Sequence, residues 1–249
     1  MLLDGKNVII TGTNRGIGKE ILKQCAINGA TIYAHTRKPI DDHYFWCKEL
    51  EREYGIKIRI FHFDAINYEE IKQAASWISK ETNRIDVLIN NISTITKPQL
   101  FHMTRMDDIK LEFDVNLFSQ LYFTQFISRI MMKHKSGSII NISSVAGIDG
   151  NTGMIGYVSS KAAMIGATKR LAIELGSYNI RVNSIAPGLT NTDMGNMMSE
   201  ELKDKTLSHQ VLEYMAEPID IANTTVYLGS DLSRHVTGQV IRVDGGMLR

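Results

Sequence analysis

Val8-Ile9-Ile10-Thr11-Gly12-Thr13-Asn14-Arg15-Gly16-Ile17-Gly18 sets three glycines between a short β-branched run and the start of an amphipathic stretch. The pattern predicts a strand, a tight turn and a helix. Glycine permits the turn and lets the backbone approach a ligand closely, and a helix start offers free N–H groups and a positive dipole end to a pyrophosphate. A glycine-rich turn with no ligand fits the same spacing. The strand–loop–helix context favours the dinucleotide reading, with Gly12, Thr13, Asn14, Arg15, Gly16, Ile17 and Gly18 as cofactor contacts. It is not a P-loop: Glu20 follows Gly18-Lys19, and Thr13 stands where the upstream glycine is needed.

The same alternation continues outward from this loop. Further strand-like runs fall at 31–34, 57–63, 87–90, 138–142, 181–185 and 239–243, with helical stretches at 16–28, 41–54, 68–82, 107–134, 154–176 and 218–229. Strands alternating with helices at this pitch predict βαβ units. The expectation is a single-domain, Rossmann-like α/β fold over 1–249: a doubly wound parallel sheet with helices on both faces. Pro39, Pro98 and Pro187 fall in expected loops, and Pro218 opens a helix, where its missing N–H is harmless. Asn67 with Glu70 reads as a capping box.

Composition narrows the class. The 249 residues are 43% hydrophobic and 22% charged, with 28 Lys+Arg against 27 Asp+Glu. Near-neutral charge argues against a nucleic-acid binder. Only Cys25 and Cys47 are present, which excludes a disulfide framework and suggests a reducing compartment. The opening residues lack an apolar signal-peptide core, and no apolar run reaches the ~18 residues of a membrane span. A cytoplasmic protein is expected. The seven histidines show no metal-ligand spacing, so no metal is expected.

After the second strand, Arg37-Lys38 stands where an NAD enzyme usually places an acidic residue for the ribose hydroxyls. This pair is either a solvated loop or, with Arg15, a site for a 2′-phosphate. The favoured cofactor is NADP(H). Tyr157 and Lys161, four residues apart, share a helix face. An ammonium beside a phenol favours phenolate and suits Tyr157 to proton exchange with an alcohol. Ser144, just past a strand's carboxyl end, can hydrogen-bond a carbonyl. No Gly-x-Ser-x-Gly elbow accompanies it, which argues against a nucleophilic serine.

Taken with Asp64, Asn90-Asn91, Asn116 and Pro187-Gly188, these motifs occur in the order found in short-chain dehydrogenases/reductases, which the chain resembles over essentially its whole length. Within that family it is most similar to bacterial 3-oxoacyl-(acyl-carrier-protein) reductases. The likeness is carried by Asn141-Ile142-Ser143-Ser144-Val145-Ala146-Gly147, Ile185-Ala186-Pro187-Gly188, Thr192-Asp193-Met194 and the passage from Thr237 to Gly246. The resemblance implies that Tyr157 donates the proton, that Lys161 holds the nicotinamide ribose and tunes Tyr157, and that Ser144 orients the carbonyl. It implies a helical Asn116 supporting a proton-relay water, Asp64 and Ala65 near the adenine, Asn91 beside the cofactor, and Thr190 near the carboxamide.

The implied activity is NADPH-dependent reduction of a carbonyl, foremost in a 3-oxoacyl thioester. Sugar, polyol, sugar-nucleotide or secondary-metabolite carbonyls are the alternative class, and a non-catalytic dinucleotide-binding protein is the third. Two departures bear on substrate. Ile92-Ser93 replaces the family's Ala-Gly and implies an altered pocket shape. Lys135 matches one basic residue used to dock an acyl carrier protein, with Lys133 nearby, but Tyr178 stands at the second. Substrate-reading segments are expected at 92–106, 145–155 and 189–212. Met194, Met197, Met198 and, beyond the last segment, Met215 fit either an apolar lid or ordinary packing. The family implies a homotetramer or homodimer pairing helices from 107–134 and 154–176.

Overall fold

The computed structural model describes residues 1–196 and 198–246, so Met197 of the proposed methionine lid lies outside the described residues. Seven parallel strands form one sheet in the order β3-β2-β1-β4-β5-β6-β7. They are β1 (Asn7–Ile10), β2 (Thr31–Thr36), β3 (Ile58–His62), β4 (Val87–Asn90), β5 (Gly137–Ile142), β6 (Ile180–Pro187) and β7 (Val240–Val243). The chain winds outward from β1 to β3, then returns to pair β4 on the other side of β1. The crevice between β1 and β4, at the strands' carboxyl ends, is the place where such sheets bind ligands.

Strand pleating explains the layers. Val8 and Ile10 point to a core shared with α1 (Gly16–Ile27), α2 (Asp41–Tyr54) and α10 (Pro218–Gly229). Ile9, between them, points to the opposite core, closed by α3 (Tyr68–Glu81), α5 (Ser119–His134) and α7 (Ile155–Gly176). Both strand faces are thus buried, which is why these strands read as unbroken apolar runs. Cys25 and Cys47 are buried free thiols, both pushed up to about 12 by burial. No helix among the described residues is long and apolar enough to cross a membrane.

The departures from expectation are local. The helix expected over 107–134 is interrupted: α4 (Met106–Phe113) passes through a π-helical turn (Asp114–Phe118) into α5. Such a turn is invisible to a 3.6-residue pattern and is common at functional sites. Pro187 ends β6 rather than lying in a loop; as the strand's last residue it is tolerated there. The capping box at Asn67 is half formed. Asn67 accepts from the Glu70 N–H (3.2 Å), but its own N–H goes to the Asp64 carbonyl, while Glu70 takes the Asp64 N–H. Glu217 and Asp220 make the reciprocal box instead. The short helices α6 (Ala146–Asp149), α8 (Asp193–Asn196) and α9 (Glu200–Leu207) occupy segments read as loops.

Beneath the crevice lies a buried amide chain. Asn90 Nδ2 donates to Thr124 Oγ1 (2.9 Å) and Asn141 Oδ1 (2.8 Å), and Asn141 Nδ2 donates to Thr168 Oγ1 (2.9 Å). It ties β4 and β5 to α5 and α7. Asn141→Ala strips partners from these buried groups and is expected to lower the unfolding free energy by about 1–3 kcal/mol, read from urea melts.

Candidate functional site

The glycine loop leaves β1 at Gly12 (φ 73°) and turns again at Gly16 (φ 52°), a backbone that side chains with a Cβ rarely adopt. Gly18 is constrained by space: a Cβ there would overlap the Gly12 carbonyl oxygen and the Asn91 amide. Asn91 locks the loop, its Nδ2 donating to the Thr11 and Gly12 carbonyls (both 3.0 Å), while its backbone N–H donates to Thr11 Oγ1 (2.9 Å). The α1 N-terminus carries no side-chain cap and no acidic residue in its first turn. Its N–H groups therefore remain for an anionic ligand. Gly12, Asn14, Arg15, Gly16, Ile17 and Gly18 line a cavity of about 1190 Å³. Thr13, expected there, is fully buried instead. Its hydroxyl donates to the His35 carbonyl (3.0 Å) and faces His43 Nε2 (3.1 Å).

At the end of β2, Arg37 lies on the cavity wall in an ion pair with Asp64 (Nη2–Oδ2 2.6 Å), and Ala65 lines the wall beside them. Lys38 is exposed. Arg15 stands 3.8 Å from Asp193 of α8, across the cavity. His35, which sequence reasoning passed over, closes this end. Its Nδ1 accepts the Gly12 N–H (3.1 Å), so its proton resides on Nε2, 3.0 Å from the Phe63 carbonyl. Burial pulls both His35 and His43 down to about 4. A histidine inside the otherwise apolar run of β2 was the available clue.

The opposite wall carries the hydroxyls. Ser144 follows β5, and its Oγ accepts the Ala146 N–H (3.1 Å). Tyr157, in the first turn of α7, is half-buried and lines the cavity together with Ser144 and Ser93. Lys161 is buried with Nζ donating to the Ile142 carbonyl (2.9 Å), 5.7 Å from the Tyr157 ring centroid. Burial pulls its ammonium down to about 7. Burial also raises Tyr157, helped by the Glu112 carboxylate, against lowering by the two serines.

Asn116 lies in the π-helical turn, wholly buried, with its side chain fully engaged. Oδ1 accepts the Thr94 N–H (2.7 Å) and the Ser93 hydroxyl (3.3 Å), while Nδ2 donates to the Thr94 carbonyl (2.9 Å) and Ser160 Oγ (3.1 Å). Its backbone carbonyl accepts from Gln120 Nε2 (2.8 Å). Ser93 and Asn91 both face the cavity, and Ser93 does not adopt a positive φ, so the serine replacing glycine carries no left-handed strain. Glu112, a buried carboxylate accepting from Thr96 N–H (2.7 Å), is a second group missed earlier. Its position in an amphipathic helix reads as surface.

The three edge segments roof the cavity. Thr190 lines it, and its neighbourhood pairs with Ala216 through Asn191 N–H (2.8 Å). Met194, Met198 and Leu202 face it from the α8–α9 segment, while Met215 packs behind, near Gly195. Arg242 of β7 holds Asp149 (2.6 Å), steadying the segment after β5.

A family profile described as enoyl-(acyl carrier protein) reductase matches residues 12–248. The chain is 37% identical over 245 residues to a 3-oxoacyl-[acyl-carrier-protein] reductase of Aquifex aeolicus, covering 98% of each chain. It is 38% identical over 250 residues to that of Thermotoga maritima, covering 100% of each. Among solved structures, a 7α-hydroxysteroid dehydrogenase complexed with NADH and 7-oxoglycochenodeoxycholic acid superposes with TM-score 0.90 at 32% identity, covering 99% of this chain and 95% of that one.

The buried histidines give the site an acid limit. The folded values near 4 lie below the ordinary 6.5, so between these pH values the unfolded chain takes up protons that the folded one refuses. Stability from this source is complete above about pH 6.5 and is lost as pH falls toward 4. Urea melts from pH 7 to 4 are expected to show this slope, and His35→Gln to flatten it by about one proton's worth.

Proposed function

Because this chain belongs to the short-chain dehydrogenase/reductase family and is an oxidoreductase, we propose that it uses NADPH to reduce a ketone to a secondary alcohol, foremost in a 3-oxoacyl thioester. The observation that carries the reading is that Ser144, Tyr157 and Lys161 open on the same cavity as the glycine loop. The glycine backbone and uncapped α1 terminus suit a dinucleotide pyrophosphate, and Asp64 and Ala65 suit the adenine end. Arg37 and Arg15 suit a 2′-phosphate. The Arg37–Asp64 pair is exposed enough, with the guanidinium side chain at 68%, that a doubly charged phosphate can compete for it.

When bound, the nicotinamide supplies the hydride. Ser144 turns its hydroxyl to the substrate carbonyl oxygen and fixes its position. Tyr157 then gives its phenolic proton to the oxygen as negative charge develops there. The high value that burial imposes on Tyr157 keeps this proton in place at neutral pH, as a general acid for reduction requires. Lys161 spends one N–H on Ile142; protonated, it keeps two more for a ribose hydroxyl and the phenol. Asn91 and Thr190 border the nicotinamide end, and Asn116 serves proton recovery behind Lys161.

Methionines 194 and 198 and Leu202 favour an apolar acyl chain under the roof. The 3-oxoacyl-[acyl-carrier-protein] reductase activity of the relatives supports a thioester, and Lys135, exposed at the end of α5, supports contact with an acyl carrier protein. Tyr178 packs on the core beneath α7 rather than offering a second charge, which favours a free small-molecule carbonyl as the second reading. Exposed Phe118 and Ile173 (72%) favour a homodimer or homotetramer, and the two buried free thiols a reducing, cytoplasmic setting.

NADPH oxidation with acetoacetyl thioesters against a panel of sugar, steroid and simple ketones tests the reading; no turnover of any carbonyl would defeat it. Tyr157→Phe is expected to cut reduction at least about 10²-fold with NADPH binding intact. By fluorescence titration, Arg37→Asp is expected to weaken NADPH about ten- to hundredfold relative to NADH.

A further inference from the structure

We infer that the roof of the cavity holds an anion subsite, built from Lys205 and Gln210 with His209 beside them, which takes a carboxylate or phosphate carried by the substrate beyond its reacting carbonyl. The inference rests on the reductase reading above. It narrows the substrate class to carbonyl compounds with an apolar body and a negatively charged end.

The roof segment changes character along its length. Leu202, Lys205, Thr206 and His209 recur at helical spacing and all line the cavity, so one face of α9 and the turn after it looks inward. With Met194 and Met198 before them, this wall runs from apolar to polar. Thr206 spends its hydroxyl on the Leu202 carbonyl (2.7 Å). His209 Nδ1 lies 2.7 Å from the Lys205 carbonyl, which can only accept, so Nδ1 carries a proton. His209 Nε2, the Lys205 ammonium and the Gln210 side-chain amide make no hydrogen bond or ion pair among the described residues.

Gln210 is 3% exposed, yet it lines the cavity with its amide unpartnered. A buried amide without a partner is costly, and a ligand group in the cavity relieves that cost. Its place is fixed on both sides. Its own N–H donates to the Leu207 carbonyl (2.9 Å), and the next two residues, Val211 and Leu212, donate to the carbonyls of Gly246 (3.0 Å) and Gly245 (2.9 Å) beyond β7.

Charge accounting singles out Lys205. The carboxylates on the cavity wall are Asp64, Asp149 and Asp193, and each lies against an arginine: Arg37 (2.6 Å), Arg242 (2.6 Å) and Arg15 (3.8 Å). Lys161 donates to the Ile142 carbonyl, and on α9 itself Glu200 holds Lys203 (2.7 Å). Lys205 is the lining cation left without a counter-charge among the described residues. A cation on the wall of a partly apolar cavity draws an anionic group toward it, and the two N–H bonds of a glutamine amide give that group a direction. A carboxylate on the carbonyl compound and the phosphate of a pantetheine thioester both offer the oxygens such donors need.

Two matched pairs test the inference: 7-oxooctanoate against its methyl ester, and acetoacetyl-phosphopantetheine against acetoacetyl-pantetheine. Each is titrated into protein saturated with NADP⁺, where reduction cannot proceed, and KM for reduction with NADPH is measured alongside. Wild type is expected to hold the charged member of at least one pair more tightly. Discrimination in the oxo-acid pair marks a carboxylate site, and discrimination in the pantetheine pair a phosphate site. Lys205→Met keeps the stem of the side chain and is expected to weaken that charged member about three- to thirtyfold, with its neutral partner, kcat and NADPH affinity within about twofold. Lys205→Arg restores it, Gln210→Met gives a smaller loss in the same member, and added salt weakens it in wild type but not in Lys205→Met. Should Gln210→Met fail to fold, the substitutions at Lys205, an exposed side chain, still decide. Equal affinity of wild type for both members of both pairs would overturn the inference. So would unchanged binding in either variant, or equal losses of charged and neutral members in Lys205→Met. The titrations need no turnover, so an inactive wild type would defeat the reductase reading while still deciding the subsite.

Discussion

Everything at the carboxyl edge of the sheet depends on one close approach. The start of α1 folds back against the Gly12 carbonyl and the Asn91 amide, leaving no room for a Cβ at Gly18. That contact aims the helix terminus into the crevice between β1 and β4. It also draws Asn91, and with it the chain after β4, onto the glycine loop. The segment carrying Ile92 and Ser93 is registered against the glycine loop at one end and against the π-helical turn at the other. Glycine loop and hydroxyl wall are in this way parts of one hydrogen-bonded frame.

Burial sets the chemistry inside the frame. The same desolvation that pulls Lys161 down to about 7 raises the Tyr157 phenol, so each group is pushed toward its neutral form. Two serines from different elements, Ser144 after β5 and Ser93 after β4, line the same cavity as the phenol and act against its upward shift. His35 plays the analogous part at the other end of the cavity. It is kept neutral by burial and bridges the Gly12 N–H to the Phe63 carbonyl.

What could be read from the residues followed from periodicity and punctuation. The seven strands stood out because a sheet covered on both faces needs continuous apolar runs, and the glycine loop because glycine spacing implies backbone freedom. Boundaries slipped where a tertiary partner extended an element: β2 runs on to Thr36 because His35 and Thr36 pair with Phe61 and His62 of β3. The π-helical turn escaped because it preserves helical composition while shifting register. The direction of the Thr13 side chain was hidden for a related reason: its place in the motif is plain, but its hydroxyl faces His43, thirty residues away in α2.

Sequence alone determined the parallel sheet, the placing of the glycine loop at its switch point, and the trio Ser144, Tyr157 and Lys161 that lines the cavity beside it. Each of these is a local pattern or a motif of few residues, with spacing dictated by backbone geometry. Only the tertiary structure decided which polar groups face one another. The bond from Ser93 to Asn116, the bracket of Asn116 on Thr94, the carboxylate of Glu112 beneath Gly156, and Lys161 held to the Ile142 carbonyl all join residues far apart in the chain. Hydrogen bonding and desolvation act through distance in space and exclusion of water, and neither is written in the order of the residues.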